Sequence, residues 1–476
     1  MSKYTRLGKN TLFVFIGNIG GKVLTFLMLP FYTRWLSATD FGTVDILITY
    51  ATFLFGIVTL SISESVFIFP KDKTYRDQQR YFSSGLFYTF LHFIAIGVLI
   101  IIYILFADNT IGNVFTNNLW FIYLLIFTMY LQSYFQQFAR AIDRMKVYSI
   151  SGVVLSFSIV VNSFIFIPKY GVTGYILTWS ISYFTTAFYS LYYSGAFEYL
   201  SFNGISARHY KQMLKYAIPL IPNGVMFWLM NSLNRPLLEK YCGLDTVGIY
   251  AVANKFPLML STIFNVFLFS WHITVLEEYE KKDYPYFFNR ILRYVVLALC
   301  TIFIVISLLN KPVIMILASA EFYNAWKYIS LLTLGSLILS LSAFVGGNFL
   351  ATKNSKYFLY SSVLGALCSV ILNFILIPLW GIYGAAVSII IAYLVMLFSR
   401  LYYIHSTVKV YGKFKYLMML CILFLFSVTV GMNESIIKYL FVIMEIAILL
   451  YLNKDLNKDY HVVRVKIENF IKNKFK

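Results

Sequence analysis

Phe164-Ile165-Phe166-Ile167-Pro168-Lys169-Tyr170-Gly171-Val172-Thr173-Gly174 returns, without a gap, as Phe374-Ile375-Leu376-Ile377-Pro378-Leu379-Trp380-Gly381-Ile382-Tyr383-Gly384. The offset is 210 residues, and Lys146 pairs with Lys356 at the same distance. Earlier in each half, Pro30, Arg34, Trp35 and Gly42 align with Pro236, Lys240, Tyr241 and Gly248 at an offset of 206. These positions read proline, base, aromatic, glycine in both copies. Two matches in one order and near-equal register point to a duplication, since loops absorb the four-residue difference. Each Pro-x-x-Gly-x-x-Gly segment sits where one apolar run ends and another begins. Proline ends the first helix, and glycine permits a short hairpin turn and close packing of the next helix.

Outward from these hairpins, apolar runs fill the chain. Of 476 residues, 60 % are hydrophobic and only 12 % are charged, with a mean hydropathy of +0.74. Runs such as 87–106 and 417–430 show none of the alternation expected of barrel strands. They fit helices of about 20 residues crossing about 30 Å of hydrocarbon. The reading predicts an all-α polytopic membrane protein of about fourteen transmembrane helices. The expected spans are 10–36, 41–69, 82–106, 118–139, 148–168, 172–194, 216–238, 247–273, 292–310, 326–350, 358–378, 382–403, 416–432 and 436–452. The N-terminal run is longer than a signal-peptide core of about 7–15 residues and lacks a small-residue cleavage site, so it is read as the first span.

The repeat unit holds six helices, so both copies enter the bilayer in the same sense, as two parallel bundles related by an axis along the membrane normal. The expected division is 1–200 for the first bundle, 201–410 for the second and 411–452 for an added helix pair. A basic tail, 453–476, carries Val462, Val463, Ile467, Phe470 and Ile471 at partly helical spacing and is read as lying on anionic headgroups. With both termini on one side, that side receives thirty of the 39 Lys and Arg. The bias predicts cytoplasmic termini. The formal charge of +19 is thereby a matter of topology, and no nucleic-acid partner is implied.

Ionisable groups within spans are costly, by about 2.5–3.5 kcal/mol each on insertion scales, and by default face a bundle interior or wet cavity. They are Lys22, Asp45, Glu64, His92, Arg235, Lys255 and Glu445, with Arg34 closing the first span. Lys22 lies near the midplane and Lys255 within two residues of Pro257. Both ammonium groups could face one cavity between the bundles; the competing reading is internal pairing, Lys22 with Glu64 or Lys255 with Asp45. Asp45 has a second candidate partner in Arg34. Arg34 and Arg235 stand at outer helix ends. Glu64, within Ser61-Ile62-Ser63-Glu64-Ser65, is read as a proton or sodium carrier, a partner for Lys22 or a buried neutral acid. His92 is read as a core histidine and Glu445 as outside any pathway.

The four cysteines, Cys242, Cys300, Cys368 and Cys421, have no ligand-like spacing, so no disulfide framework or metal site is indicated. Gly17-Asn18-Ile19-Gly20-Gly21-Lys22-Val23 lacks the first glycine and the final Ser/Thr of a phosphate loop and lies inside a span. No catalytic motif appears, and no cofactor is expected.

Arg34-Trp35-Leu36-Ser37-Ala38-Thr39-Asp40-Phe41-Gly42, with Asn234-Arg235-Pro236-Leu237-Leu238 and Gly243-Leu244-Asp245-Thr246-Val247-Gly248-Ile249-Tyr250, resembles the polysaccharide-transporter family of the multidrug/oligosaccharidyl-lipid/polysaccharide exporter superfamily. The resemblance covers residues 7–405. It implies a flippase that moves undecaprenyl-pyrophosphate-linked oligosaccharide across a bacterial inner membrane for O-antigen, capsule or exopolysaccharide assembly. Implied partners are the lipid-linked substrate, membrane lipids, and the polymerase and glycosyltransferases of the pathway. Relatives often carry aspartate before the arginine of the seventh span, where this chain has Asn234. Lys22, Lys255, Arg235 and Arg34 are the expected contacts for the diphosphate and glycan. Asp45 and Glu64 are the expected positions for coupling to H+ or Na+. A multidrug cation exporter and a peptidoglycan-precursor flippase are the alternatives within the superfamily, and a glycan polymerase or ligase the enzyme alternative.

Overall fold

The computed structural model describes residues 24, 26–106, 114–352, 355–405 and 413–430, with further positions at 408, 410, 440, 442–444 and 446–448. Lys22, Glu445 and the basic tail lie outside the described residues. Among the described residues all regular structure is helical. The principal helices are α1 Leu29–Trp35, α2 Ala38–Val58, α3 Ile62–Ile68, α4 Tyr75–Phe106, α5 Leu119–Ala141, α6 Met145–Tyr193, α7 Ala207–Ala217 and α8 Ile221–Asn231. They continue as α9 Asn234–Cys242, α10 Leu244–Ala253, α11 Lys255–Glu278, α12 Tyr284–Leu317, α13 Trp326–Gly346, α14 Ser355–Ile404 and α15 Lys413–Val430. By length and composition, eight helical stretches among the described residues, some of them containing turns or breaks, can cross a membrane. Large apolar side chains stand exposed along their outer faces, Phe90, Leu99, Phe157 and Ile371 among them.

The repeated segments fold identically. Gly171 has φ 52° and ψ −124°, and Gly381 has φ 54° and ψ −126°. Each supplies the left-handed residue that turns one arm of α6 or α14 back on the other. The arms are antiparallel: the Asn162 amide donates to the Ser182 hydroxyl at 3.1 Å. The third glycine of each motif has the other function expected of it. A Cβ on Gly174 would overlap the Phe166 carbonyl, and one on Gly384 the Leu376 carbonyl, which are equivalent pairs at the 210 offset. Turn and close packing thus fall on different glycines.

Several predicted spans are broken. The span 41–69 divides into α2 and α3 at Leu60 and Ser61, both in left-handed conformations with φ 50° and 51°. Their reversal lets the Ser61 amide reach the Gly56 carbonyl at 3.1 Å. The span 216–238 becomes α8, part of α9 and the end of α7. Pro219, Pro222 and Pro236 each remove a helix donor there and stand at or near a helix start. The span 247–273 breaks at Asn254, between α10 and α11, because Pro257 cannot sit in a continuous helix beneath the Ala253 carbonyl.

One core runs through the second repeat and takes in Leu29, Tyr32, Phe41, Val44 and Ile46 from the first. Further along α2, Leu47 and Ala51 belong instead to a separate core with Phe82, Tyr134, Phe138 and Met213. The two halves are therefore joined at the end bearing the hairpin turns and part midway along α2.

Candidate functional site at the seam between the repeats

The joined end is built on the other repeated element. α2 begins at Ala38 and α10 at Leu244, equivalent positions at the 206 offset. The two helices cross at Gly42 and Gly248. A Cβ on Gly42 would overlap the Leu244 carbonyl, and one on Gly248 the Ala38 carbonyl. The contact is reciprocal, as an approximate two-fold axis requires, and small residues let the backbones meet. The Ser37 side chain caps α2 in a reciprocal box with Asp40. The Ala38 amide donates across the seam to Glu321 Oε1 at 2.8 Å. Phe41 meets Phe322 edge-on at 5.8 Å, and the Ser319 amide donates to the Thr33 hydroxyl at 3.3 Å.

Just below this closure lies the charge cluster. Arg235 Nε donates to Asp45 Oδ2 at 2.6 Å, with side-chain exposures of 11 % and 20 %. The pair bridges α9 of one repeat and α2 of the other. Arg235 also donates from Nη1 to the Asn231 carbonyl at 3.1 Å and lies 5.3 Å over the Tyr250 ring. Asn234 donates its amide to the Tyr250 hydroxyl, while its own Oδ1 is buried with no partner among the described residues. The Tyr393 hydroxyl donates to Asn231 Oδ1 at 2.7 Å, and Trp228 Nε1 to the Thr49 carbonyl at 3.1 Å. Lys255 opens α11 beside the cluster. Its ammonium is 5.9 Å from the ring centroid of Phe41, one turn before Asp45 on α2, and makes no direct ion pair among the described residues.

Asp45, Arg235 and Lys255 are thus brought together. The competing pairings of Asp45 with Arg34 or with Lys255 do not form, because Arg235 occupies the carboxylate from the other repeat. Arg34 is exposed in the last turn of α1. Glu64 is exposed in the first turn of α3, beyond the break in α2 and apart from the cluster. His92 is also exposed, which corrects its reading as a core histidine: it stands among Leu91 and Ile94 on the outer face of α4. Glu239 was not anticipated. It lies past the end of the predicted seventh span, yet it accepts from the Tyr50 hydroxyl at 3.3 Å across the same seam. Glu321 was likewise hidden in a loop; only its position after the ninth predicted span distinguished it.

Comparison with known proteins agrees with this architecture. The chain aligns over most of its length with a lipid II flippase MurJ in an inward closed conformation: 16 % identity, TM-score 0.70, 95 % of this chain and 99 % of that one. An inward-facing multidrug resistance transporter of the MATE family and MOP superfamily matches at 12 % identity and TM-score 0.64, over 81 % of this chain and 95 % of the other. At these identities the likeness is one of fold. In sequence, the chain is 24 % identical over 200 residues to the capsular polysaccharide biosynthesis protein CapF of Staphylococcus aureus, covering 41 % of this chain and 50 % of that one. It is 25 % identical over 276 residues to the uncharacterized membrane protein MJ1068 of Methanocaldococcus jannaschii, 54 % of this chain and 53 % of the other. The chain spans about half the length of these curated relatives. The family model described as polysaccharide biosynthesis protein matches residues 7–271, more than half of the chain. This multi-pass membrane protein belongs to the polysaccharide biosynthesis protein family.

Proposed function

We propose that the protein is a flippase that carries undecaprenyl-pyrophosphate-linked oligosaccharide across a bacterial inner membrane, with both termini cytoplasmic, for O-antigen, capsule or exopolysaccharide assembly. The polymerase and glycosyltransferases of that pathway would be its partners. The observation that carries the reading is the Arg235–Asp45 pair, held across the seam with Lys255 beside it, in a chain of this family.

A diphosphate with several sugars cannot cross hydrocarbon bare, because an unpaired anion in a low-dielectric interior costs several to tens of kcal/mol. A seam that presents cations replaces the lost water while the polyprenyl tail stays in lipid. In the closed state Arg235 is neutralised by Asp45. A diphosphate oxygen entering the seam takes the place of that carboxylate on the guanidinium, and Lys255 adds a second positive charge. Asp45, released, then requires a proton or Na+ to remain in the membrane, which is how substrate and ion would be coupled. Arg34, at the outer end of α1, and Lys22 complete the set of cations assigned to the path. The two repeats rock against one another, and the Gly42–Gly248 crossing parts when the seam opens at the joined end. Nothing in this cycle breaks a covalent bond, so the reading is transport.

The test is flipping of a fluorescent undecaprenyl-diphosphate-linked oligosaccharide in proteoliposomes. Lys255→Ala, Arg235→Gln and Lys22→Ala are each expected to lower the rate at least about tenfold at equal protein content. Unchanged rates in all three would end the cationic-path reading. A wild-type protein that moves lipid II or an organic cation, and no polyprenyl-diphosphate oligosaccharide, would favour the other members of the superfamily.

A further inference from the structure

A second group of cations lies away from the seam, on the helix that links the repeats. α7 buries Met213 and Ala217 and leaves Arg208, Lys211 and Lys215 exposed. It is fastened to the first repeat at three points. The Ser65 hydroxyl donates to the Met213 carbonyl at 2.9 Å, the Ser206 amide to the Ser84 hydroxyl at 2.8 Å, and the Tyr81 hydroxyl to Gln212 Oε1 at 2.8 Å. Between α7, the end of α3 and the first turns of α4 opens a groove of about 470 Å³, lined by Phe69, Lys73, Tyr81, Gln212, Lys215 and Tyr216.

The lining is chemically two-sided. Phe69 stands 5.4 Å from Tyr81 and 6.1 Å from Tyr216 between ring centroids, and His209 meets Tyr81 edge-on at 4.7 Å. Against these rings stand two exposed ammonium groups, Lys73 and Lys215, with no ion pair among the described residues. Of the neighbouring carboxylates, Asp77 is already engaged, accepting from the Thr74 hydroxyl at 2.9 Å and lying 3.9 Å from Arg80, and Asp72 is exposed with no ion pair to Lys73 among the described residues. Gln212 uses its carbonyl oxygen on Tyr81, which leaves the amide nitrogen as a donor. Unpaired ammoniums hold phosphate oxygens as point charges, and basic clusters at a membrane surface attract anionic headgroups. The aromatic walls add something that a bare phosphate does not need: flat faces for the C–H surface of a sugar ring, beside an amide that can bond hydroxyls.

We propose that this groove is a loading station, separate from the Arg235 seam, for the phosphate-linked sugar headgroup of the carrier lipid. The inference rests on the flippase reading above. The groove lies at the basic end of the molecule, in the half of the first repeat that has its own core, so occupancy does not require the seam to open.

The test measures binding to the full chain in phosphatidylcholine nanodiscs by native mass spectrometry. The probes are an undecaprenyl-diphosphate-linked oligosaccharide and undecaprenyl diphosphate without sugar. The Lys73→Gln/Lys215→Gln variant is expected to bind both about tenfold more weakly. Tyr216→Leu is expected to weaken only the glycosylated probe, reducing the preference for sugar at least about threefold. Wild-type affinity in the double variant, or equal displacement of the probe by phosphatidylglycerol at the same concentration, would overturn the station. Loss of affinity for the sugar-free probe alone would also overturn it. Proteoliposome flipping by the same preparations separates the two ideas: wild-type binding without flipping would reject the flippase and leave the station, whereas flipping with unaltered variant binding would do the reverse.

Discussion

Arg235 has a long charged side chain only 11 % exposed, and its environment is assembled from both repeats: a carboxylate from α2, a carbonyl from α8 and a ring from α10. Removing one member of such a pair strands a buried charge, which typically costs about 3–5 kcal/mol, whereas removing both is often nearly neutral. Arg235→Gln and Asp45→Asn are therefore each expected to lower the melting temperature of the detergent-solubilised protein. The double variant should recover most of that loss. If the double variant melts as low as the worse single one, the pair is not an isolated charge couple. Transport should separate the residues further. Under the exchange scheme, Asp45→Asn leaves Arg235 permanently free, so flipping becomes insensitive to the pH or Na+ gradient, while Arg235→Gln loses flipping outright.

At the scale of elements, glycines in equivalent places have unequal work. Gly171 and Gly381 are needed for conformation, since among the described residues nothing lies within 4 Å of a Cβ on Gly171, and only the Cys242 sulfur, at 3.5 Å, approaches one on Gly381. Substituting alanine there forces an L-residue to positive φ with ψ near −125°, a sparsely populated conformation that costs about 1–3 kcal/mol. Gly174→Ala and Gly384→Ala keep an allowed backbone but collide with a carbonyl, and should be the more damaging pair. Chemical denaturation or thermal scans of the four variants order them directly; equal losses would remove the distinction. Gly42 and Gly248 belong to the colliding kind, with the difference that the overlap falls across the seam. Gly42→Leu is expected to pry α2 from α10. A cysteine at Val247, fully buried in the present structure, should then react with a thiol reagent in a background lacking the four native cysteines. Continued protection would mean that the crossing tolerates bulk.

At the scale of the whole molecule, the halves share a core at one end and divide at the level of Asp45. Alternating access requires the shared end to come apart. Thr33 and Ser319 meet there across the two repeats, with the Ser319 amide 3.3 Å from the Thr33 hydroxyl. A Thr33→Cys/Ser319→Cys staple is expected to stop flipping under oxidation and restore it with reductant. Full activity of the oxidised, verified crosslink would show that the repeats need not separate at this end. Glu321→Gln weakens the same closure more gently, through its bond to the Ala38 amide.

Much of this was legible in the residues themselves. Apolar runs, the positive bias of one side and the Pro-x-x-Gly-x-x-Gly repeat determined a duplicated helical membrane protein with paired hairpins. The reason is local: a span must satisfy its own backbone in lipid, and a tight turn must have a residue that adopts positive φ. The helix breaks after Val58 and at Asn254 were less visible, since Leu60 and Ser61 are ordinary residues held in a left-handed turn by their surroundings. The partner of Asp45 was not legible at all. Charge and span pointed to Lys255 or Arg34, and only the crossing of α2 over α10, fixed by two glycines 206 residues apart in sequence, brought Arg235 within reach instead. Chemistry available to a residue is written in its type. Which opposite charge it meets depends on where two distant backbones touch, and that is decided by packing.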